Sequence, residues 1–263
     1  MSYREEVKMA TADTQADARF AELVRSAPFI FTAQVVQPGA TSVAGLTPNE
    51  RLAVVKVDSV FRAPPVLGSL KNKRVTIQLG GQKPLKAGEK ALFYATSWLY
   101  GDSVAVVEVA RERVPSDLKN LAARVAQAEL RFEDEKLSAR LARAELVITG
   151  LVEKVGPMDQ DVGSRRSEHD PVWWHAEIAI DHVEKGKTRE VRLTSYFPSS
   201  LDEYWLETPK LHPGQRGTFI LHREADGKRA RMQPPGPALL DPLDFQPLAQ
   251  AERVRALLKL ASA

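Results

Sequence analysis

"LAVVKVDSVFR" (Leu52–Arg62) and "HAEIAIDHVEK" (His175–Lys185) write nearly the same strand twice. Ala53, Val55, Val57 and Val60 fall on Ala176, Ile178, Ile180 and Val183, and Asp58 falls on Asp181. Alternation with period two predicts a half-buried strand. The break in that alternation before Val60 predicts a bulge near the shared aspartate. A strand that recurs at an offset of 123 residues raises the question of a larger repeat.

The matches extend on both sides. At offset 117, "APFIFTAQV" (Ala27–Val35) lies on "AELVITGLV" (Ala144–Val152), a buried strand that runs past a small residue, Ala33 or Gly150. Upstream, Phe20, Val24 and Ala27 match Leu137, Leu141 and Ala144. Spacings of four and three put each trio on one helical face, so a short amphipathic helix is expected before each first strand. The change of offset leaves six more residues in the next loop of copy two, the polar, turn-rich "GPMDQDVGSRRSEHDP" (Gly156–Pro171).

A third strand, "VTIQL" (Val75–Leu79), is set against "VRLTS" (Val191–Ser195). A fourth, "LKAGEKALFYA" (Leu85–Ala95), meets "LHPGQRGTFIL" (Leu211–Leu221) at offset 126. Their common frame is Leu, two residues, Gly, polar, basic, small, then an apolar run. Copy two carries a longer insertion before it, "YFPSSLDEYWLETPK" (Tyr196–Lys210). A fifth strand is expected at "SVAVVEVAR" (Ser103–Arg111), with "KRARMQ" (Lys228–Gln233) as its partner.

Each copy closes with a helix. Ser116 is placed to cap one over Asp117–Phe132, with Leu118, Leu121, Val125, Ala128 and Phe132 on one stripe. The charged "EDEK" (Glu133–Lys136) is expected to separate it from the helix that opens copy two. After "PPGPALLDPLDFQP" (Pro234–Pro247), whose "PPGP" reads as a stiff linker, "LAQAERVRALLKLA" (Leu248–Ala261) is the last helix. The expected organisation is a flexible segment over 1–14, a first module over 15–132 and a second over 133–263.

Composition fits this layout. With 263 residues, 43% hydrophobic and 27% charged, the chain reads as two globular domains, each long enough for its own core. It has no cysteine, which excludes disulfides, thiolate metal sites and cysteine nucleophiles. The N-terminal stretch has no basic region followed by an apolar run, and no apolar stretch reaches the length of a membrane span. A cytoplasmic protein with no membrane partner is the expectation. A net charge of +3 is too small to argue for a polyanionic partner by itself.

Helix, five strands, helix, written twice, predicts a mainly β chain with flanking helices (α+β): two tandem five-stranded OB-like Greek-key barrels joined by a helical segment. On "APFIFTAQV", "AELVITGLV", "VKVDSVFR", "IAIDHVEKG" and "LKAGEKALFY", the module resembles the netrin/TIMP-like branch of that fold. There a strand ending in a small residue and Val precedes a V-x-V-x-x-V-x-[KR] strand. The resemblance implies a fold and a tendency to bind proteins. Family members that inhibit metalloproteinases place an N-terminal cysteine on the metal within a disulfide frame. This chain has no cysteine, which argues against that activity.

No catalytic constellation stands out, and no cofactor is expected. "GKT" (Gly186–Thr188) lacks the upstream glycine and following helix of a phosphate-binding loop, and no G-x-S-x-G occurs. All five histidines (169, 175, 182, 212 and 222) lie in copy two. His175, Glu177 and Asp181 share a strand face, which keeps a metal-dependent hydrolase as an alternative, although a solvated polar face explains them as well. Adjacent Trp173 and Trp174 must point to opposite faces of a strand, one to the core and one outward as a stacking platform. Lys71, Lys73 and Arg74, and Lys185, Lys187 and Arg189, are candidate nucleic-acid contacts; Arg165 and Arg166 form a further basic pair. Trp98 and Tyr100 follow the fourth strand of copy one, and Tyr204 and Trp205 sit in the copy-two insertion. Loop aromatics favour protein contacts. The leading expectation is a non-enzymatic protein that contacts a protein partner mainly through copy two, by Trp173, Trp174, Tyr204, Trp205, Arg165 and Arg166. A single-stranded nucleic-acid binder is the alternative.

Overall fold

The computed structural model describes residues 3–81, 84–99, 101, 103–158, 171–222 and 236–261, with side chains from residue 15 onward. In chain order the elements are α1 (Tyr3–Ser26), β1 (Phe29–Pro38), β2 (Leu52–Arg62), β3 (Arg74–Gln78), β4 (Lys90–Leu99), β5 (Val104–Glu112) and α2 (Leu118–Arg143). There follow β6 (Leu146–Pro157), β7 (Trp173–Lys185), β8 (Arg192–Pro198), β9 (Arg216–Leu221), β10 (Phe245–Pro247) and α3 (Ala251–Ala261). The chain is mainly β and divides into two compact units, Met1–Phe132 and Glu133–Ala263, with the boundary inside α2.

In the first unit β1-β2-β3-β5-β4 close into a barrel. Every neighbouring pair is antiparallel except β3 and β5, which run parallel and complete the closure. Phe31, Val55, Ile77, Phe93 and Val106 fill the interior. On the outer face, Val24 and Ala27 beside α1 and Leu121, Val125 and Ala128 of α2 cover Ile30, Leu92 and Tyr94. The two helical stripes expected from spacing are thus the ones that bury.

The second unit repeats the wiring with one difference. β9-β6-β7-β8 match β4-β1-β2-β3, and β10 adds beside β9, but the sheet is open. Its inner face is lined by Ile148, Ile178, Phe197 and Phe219. Its outer face is covered by Leu137, Leu141 and Ala144 together with Val254 and Leu257 of α3. A second closed barrel is therefore not what the described residues form.

The cause lies in the fifth strand. Val107 of β5 pairs with Gln78 and with Thr96, parallel to one strand and antiparallel to the other. In the second unit Ala238 makes the two corresponding bridges, parallel to Tyr196 and antiparallel to His222. The chain then leaves the ladder in a 3-10 turn, Pro242–Asp244, and returns as β10 opposite Phe219. Pro237, Pro242 and Pro247 cannot donate to a ladder, so the strand survives as one bridge and a three-residue piece. Lys228–Gln233, expected to be this strand, lie outside the described residues.

The repeat extends to the irregularities of the ladder. β1 and β2 slip register between Ile30 and Phe31, between Thr32 and Ala33, and between Val35 and Gln37. β6 and β7 slip between Val147 and Ile148, Thr149 and Gly150, and Val152 and Lys154, the same three places. The middle slip passes over Asp58 in one unit and Asp181 in the other, as the alternation predicted. Each aspartate faces the basic residue that opens the fourth strand: Lys90 Nζ stands 3.9 Å from Asp58, and Arg216 Nη2 stands 2.8 Å from Asp181.

Several expectations need correction. The "EDEK" stretch does not break the helix; α2 is continuous over 26 residues. Glu and Lys are good helix formers and no Gly or Pro interrupts them, so the charges make a solvated face. The cap is Asp117, whose Oδ1 accepts from the Asn120 N–H at 2.9 Å, and not Ser116. The third strand is displaced by two residues: Val55 pairs with Val75, but Ile178, its equivalent, pairs with Leu193 and not Val191. A two-residue slip keeps the same side chains inward, so apolar patterning could not detect it. Trp98 lies within β4 and does not follow it; Tyr100 is outside the described residues. No described helix is long and apolar enough to cross a membrane.

Candidate functional site

The units differ most in the segment between β8 and β9, where the second carries the longer insertion. Its middle is a run of turns whose backbone N–H groups bond to side chains three residues or fewer away. Ser200 Oγ accepts from the Asp202 N–H at 3.2 Å, and Asp202 Oδ1 accepts from the Tyr204 N–H at 3.0 Å. Lys210 holds the end in place: its Nζ donates to the Trp205 carbonyl at 2.6 Å and to the carbonyl and hydroxyl of Thr208 at 3.0 and 2.6 Å. Burial pushes the Lys210 ammonium below its ordinary pKa. The insertion is thus a folded platform held by its own polar groups.

That platform presents apolar surface. Leu201 is 85% exposed, Tyr204 64% and Leu206 58%, with Val172 beside Trp173 at 43%. Trp205 and Trp173 meet edge to face, ring centroids 6.2 Å apart. The Ser199 N–H donates to the Val172 carbonyl at 2.8 Å, which ties the insertion to the start of β7. Trp174 points the other way. Its ring packs 6.5 Å from Phe197 against the inner core. The adjacent tryptophans therefore split as strand geometry requires, and the outward one is braced against a second indole and is not an open stacking surface.

Of the other candidates, Arg165 and Arg166 lie outside the described residues. Lys185 is engaged: its Nζ donates to the Leu141 and Ala142 carbonyls at 2.7 and 2.9 Å, at the C-terminal end of α2. Arg62, its repeat equivalent, donates in the same way to Val24 and Ala27 at the end of α1. The basic residue closing the repeated strand is a helix cap in both units. Lys187 and Arg189 are exposed on the turn that follows, and Lys71, Lys73 and Arg74 are exposed at the β2–β3 connection. The structure does not bring these two basic groups into the tryptophan cluster, since Lys71–Arg74 belong to the other unit.

The polar face of β7 is taken up by ion pairs. Asp181 faces Arg216, and Glu177 Oε2 accepts from Lys154 Nζ at 3.1 Å. Among the described residues no three His, Asp or Glu side chains gather closely enough to hold a metal ion. A buried polar cluster that the sequence reading missed lies at the 3-10 turn. Asp244 is fully buried, takes a two-pronged bond from Arg140 (2.6 and 2.8 Å) and accepts from the Leu240 and Asp241 N–H groups. Burial pushes its carboxyl up, but the His222 ring 3.6 Å away, Arg140 and the Leu240 N–H together hold it below the ordinary range. These contacts fasten the interrupted fifth strand to α2. The reading also missed Leu201, Leu206, Val172 and Lys210; the one sequence signal for them is the insertion relative to copy one. Neither a protein-family pattern nor a curated protein matches the sequence of this chain.

Proposed function

We propose that the chain is a non-enzymatic binding or assembly protein built from two OB-like modules, related to the netrin/TIMP-like type, whose second module docks a protein partner. The strand order of the closed barrel, with its parallel β3–β5 pair, supports the OB-like reading of the first module. The three shared register slips support its extension to the second.

The observation that carries the functional reading is the exposed apolar platform of the β8–β9 insertion. Binding energy in protein interfaces concentrates on a few large side chains, Trp and Tyr foremost. A platform held in shape before binding loses less entropy on docking. The test is a photo-crosslinking residue in place of Tyr204, compared with one in place of Val66, an equally exposed position in the first unit. The reading predicts discrete protein adducts from position 204 and none from 66. Equal adducts from both positions, or none from either, contradict it.

Single-stranded nucleic acid is the second reading, favoured by the exposed Lys71, Lys73 and Arg74. It predicts anisotropy changes of a labelled strand that fall steeply with salt. Binding that is absent at low salt removes it.

A further inference from the structure

The charge around the platform narrows the kind of partner it fits. Glu203 and Glu207 bracket the run Tyr204-Trp205-Leu206, both are exposed, and Asp202 precedes them. The only cation of the insertion, Lys210, is turned onto the carbonyls of Trp205 and Thr208. The outward face therefore combines apolar side chains with uncompensated negative charge, on a chain whose net charge is +3. Polyanions are repelled from such a face, and a cationic segment is drawn to it.

Resting on the docking reading above, we propose that the platform takes a basic, apolar segment of a partner protein. Large apolar side chains of that segment lie against Tyr204, Leu206 and the Trp173–Trp205 pair, and its flanking Lys or Arg residues reach Glu203 and Glu207. The apolar contacts supply most of the affinity. The carboxylates supply the on-rate and reject acidic segments.

The test is selection of random displayed peptides on the intact chain, followed by titration of the enriched peptides against variants. The expected result is enrichment of peptides with net positive charge and at least one aromatic or large aliphatic residue. Their affinity falls about tenfold or more in Trp205→Ala, as a central aromatic contact requires. In the double variant Glu203→Lys, Glu207→Lys, which leaves the apolar platform in place, the preference reverses toward acidic peptides. Neutral or acidic peptides that depend on Trp205 overturn the charge inference and leave the docking reading standing. Peptides indifferent to Trp205→Ala, or no enrichment at all, overturn both. Concentration-dependent self-association of the intact chain that Trp205→Ala abolishes also overturns the proposal, because a second copy is then the occupant.

Discussion

Gly150 and Gly217 face each other across β6 and β9. A Cβ on Gly150 meets the Ala179 carbonyl oxygen at 2.3 Å, and one on Gly217 meets the Gln246 carbonyl oxygen at 2.4 Å. Both obstacles are backbone, so neither can swing aside. Gly150→Ala is expected to cost about 1–3 kcal/mol of unfolding free energy by urea titration, the range of an overpacked site. The sequence marked Gly150 only as a small residue matching Ala33. The requirement for glycine comes from how closely the β7 bulge approaches, and that distance is not written in the residue pattern. Asp244 is the other residue whose removal is costly. Asp244→Asn leaves Arg140 half-paired in a buried site, worth about 3–5 kcal/mol. Its carboxyl titrates lower in the folded chain than its unfolded value of about 3.9. The stabilisation is therefore present above that pH and is lost as pH falls through the lower folded value. Thermal unfolding followed across acid pH is expected to decline less steeply in Asp244→Asn than in the parent chain.

At the scale of elements, the strongest regularity is that each unit uses the last basic residue of its second strand to close the preceding helix. Lys185→Met removes two charge-assisted bonds to the α2 end and is expected to cost about 1–2 kcal/mol. Amide exchange of the last turn of α2 should speed up in that variant while β6 stays protected. The strands, the stripes on the helices and the bulge at Asp58 and Asp181 were legible because each leaves a periodic apolar trace or a visible break in one. The fifth strand of the second unit was not. Its prolines read as a linker, and only the bridges of Ala238 to Tyr196 and His222 reveal that this segment holds a sheet position. The continuity of α2 was hidden for the opposite reason: a charge run looks like a boundary when no packing information says which face it occupies. The docking platform was half legible. Tyr204 and Trp205 stood out by composition, but nothing in the sequence distinguishes Lys210 as a staple from Lys210 as a surface charge.

For the whole molecule, duplication explains the architecture and divergence explains the candidate function. Each unit has its own core, and α2 contributes Leu121, Val125 and Ala128 to the first and Leu137 and Leu141 to the second. A fragment ending at Phe132 is expected to unfold cooperatively when heated, whereas one ending before Asp117 loses the cover of the barrel's outer face and should not. The first unit is the closed, short-looped copy. The second has a broken closing strand and a longer, aromatic insertion, so specificity is assigned to it. The central claim is that the insertion serves binding and not folding. The most direct test measures Trp205→Ala twice, for affinity toward a selected basic peptide and for melting temperature. The account predicts an affinity loss of about thirtyfold, corresponding to a hot-spot contact of about 2 kcal/mol, with the melting temperature nearly unchanged. Undiminished affinity, or a loss that appears only together with unfolding, contradicts it.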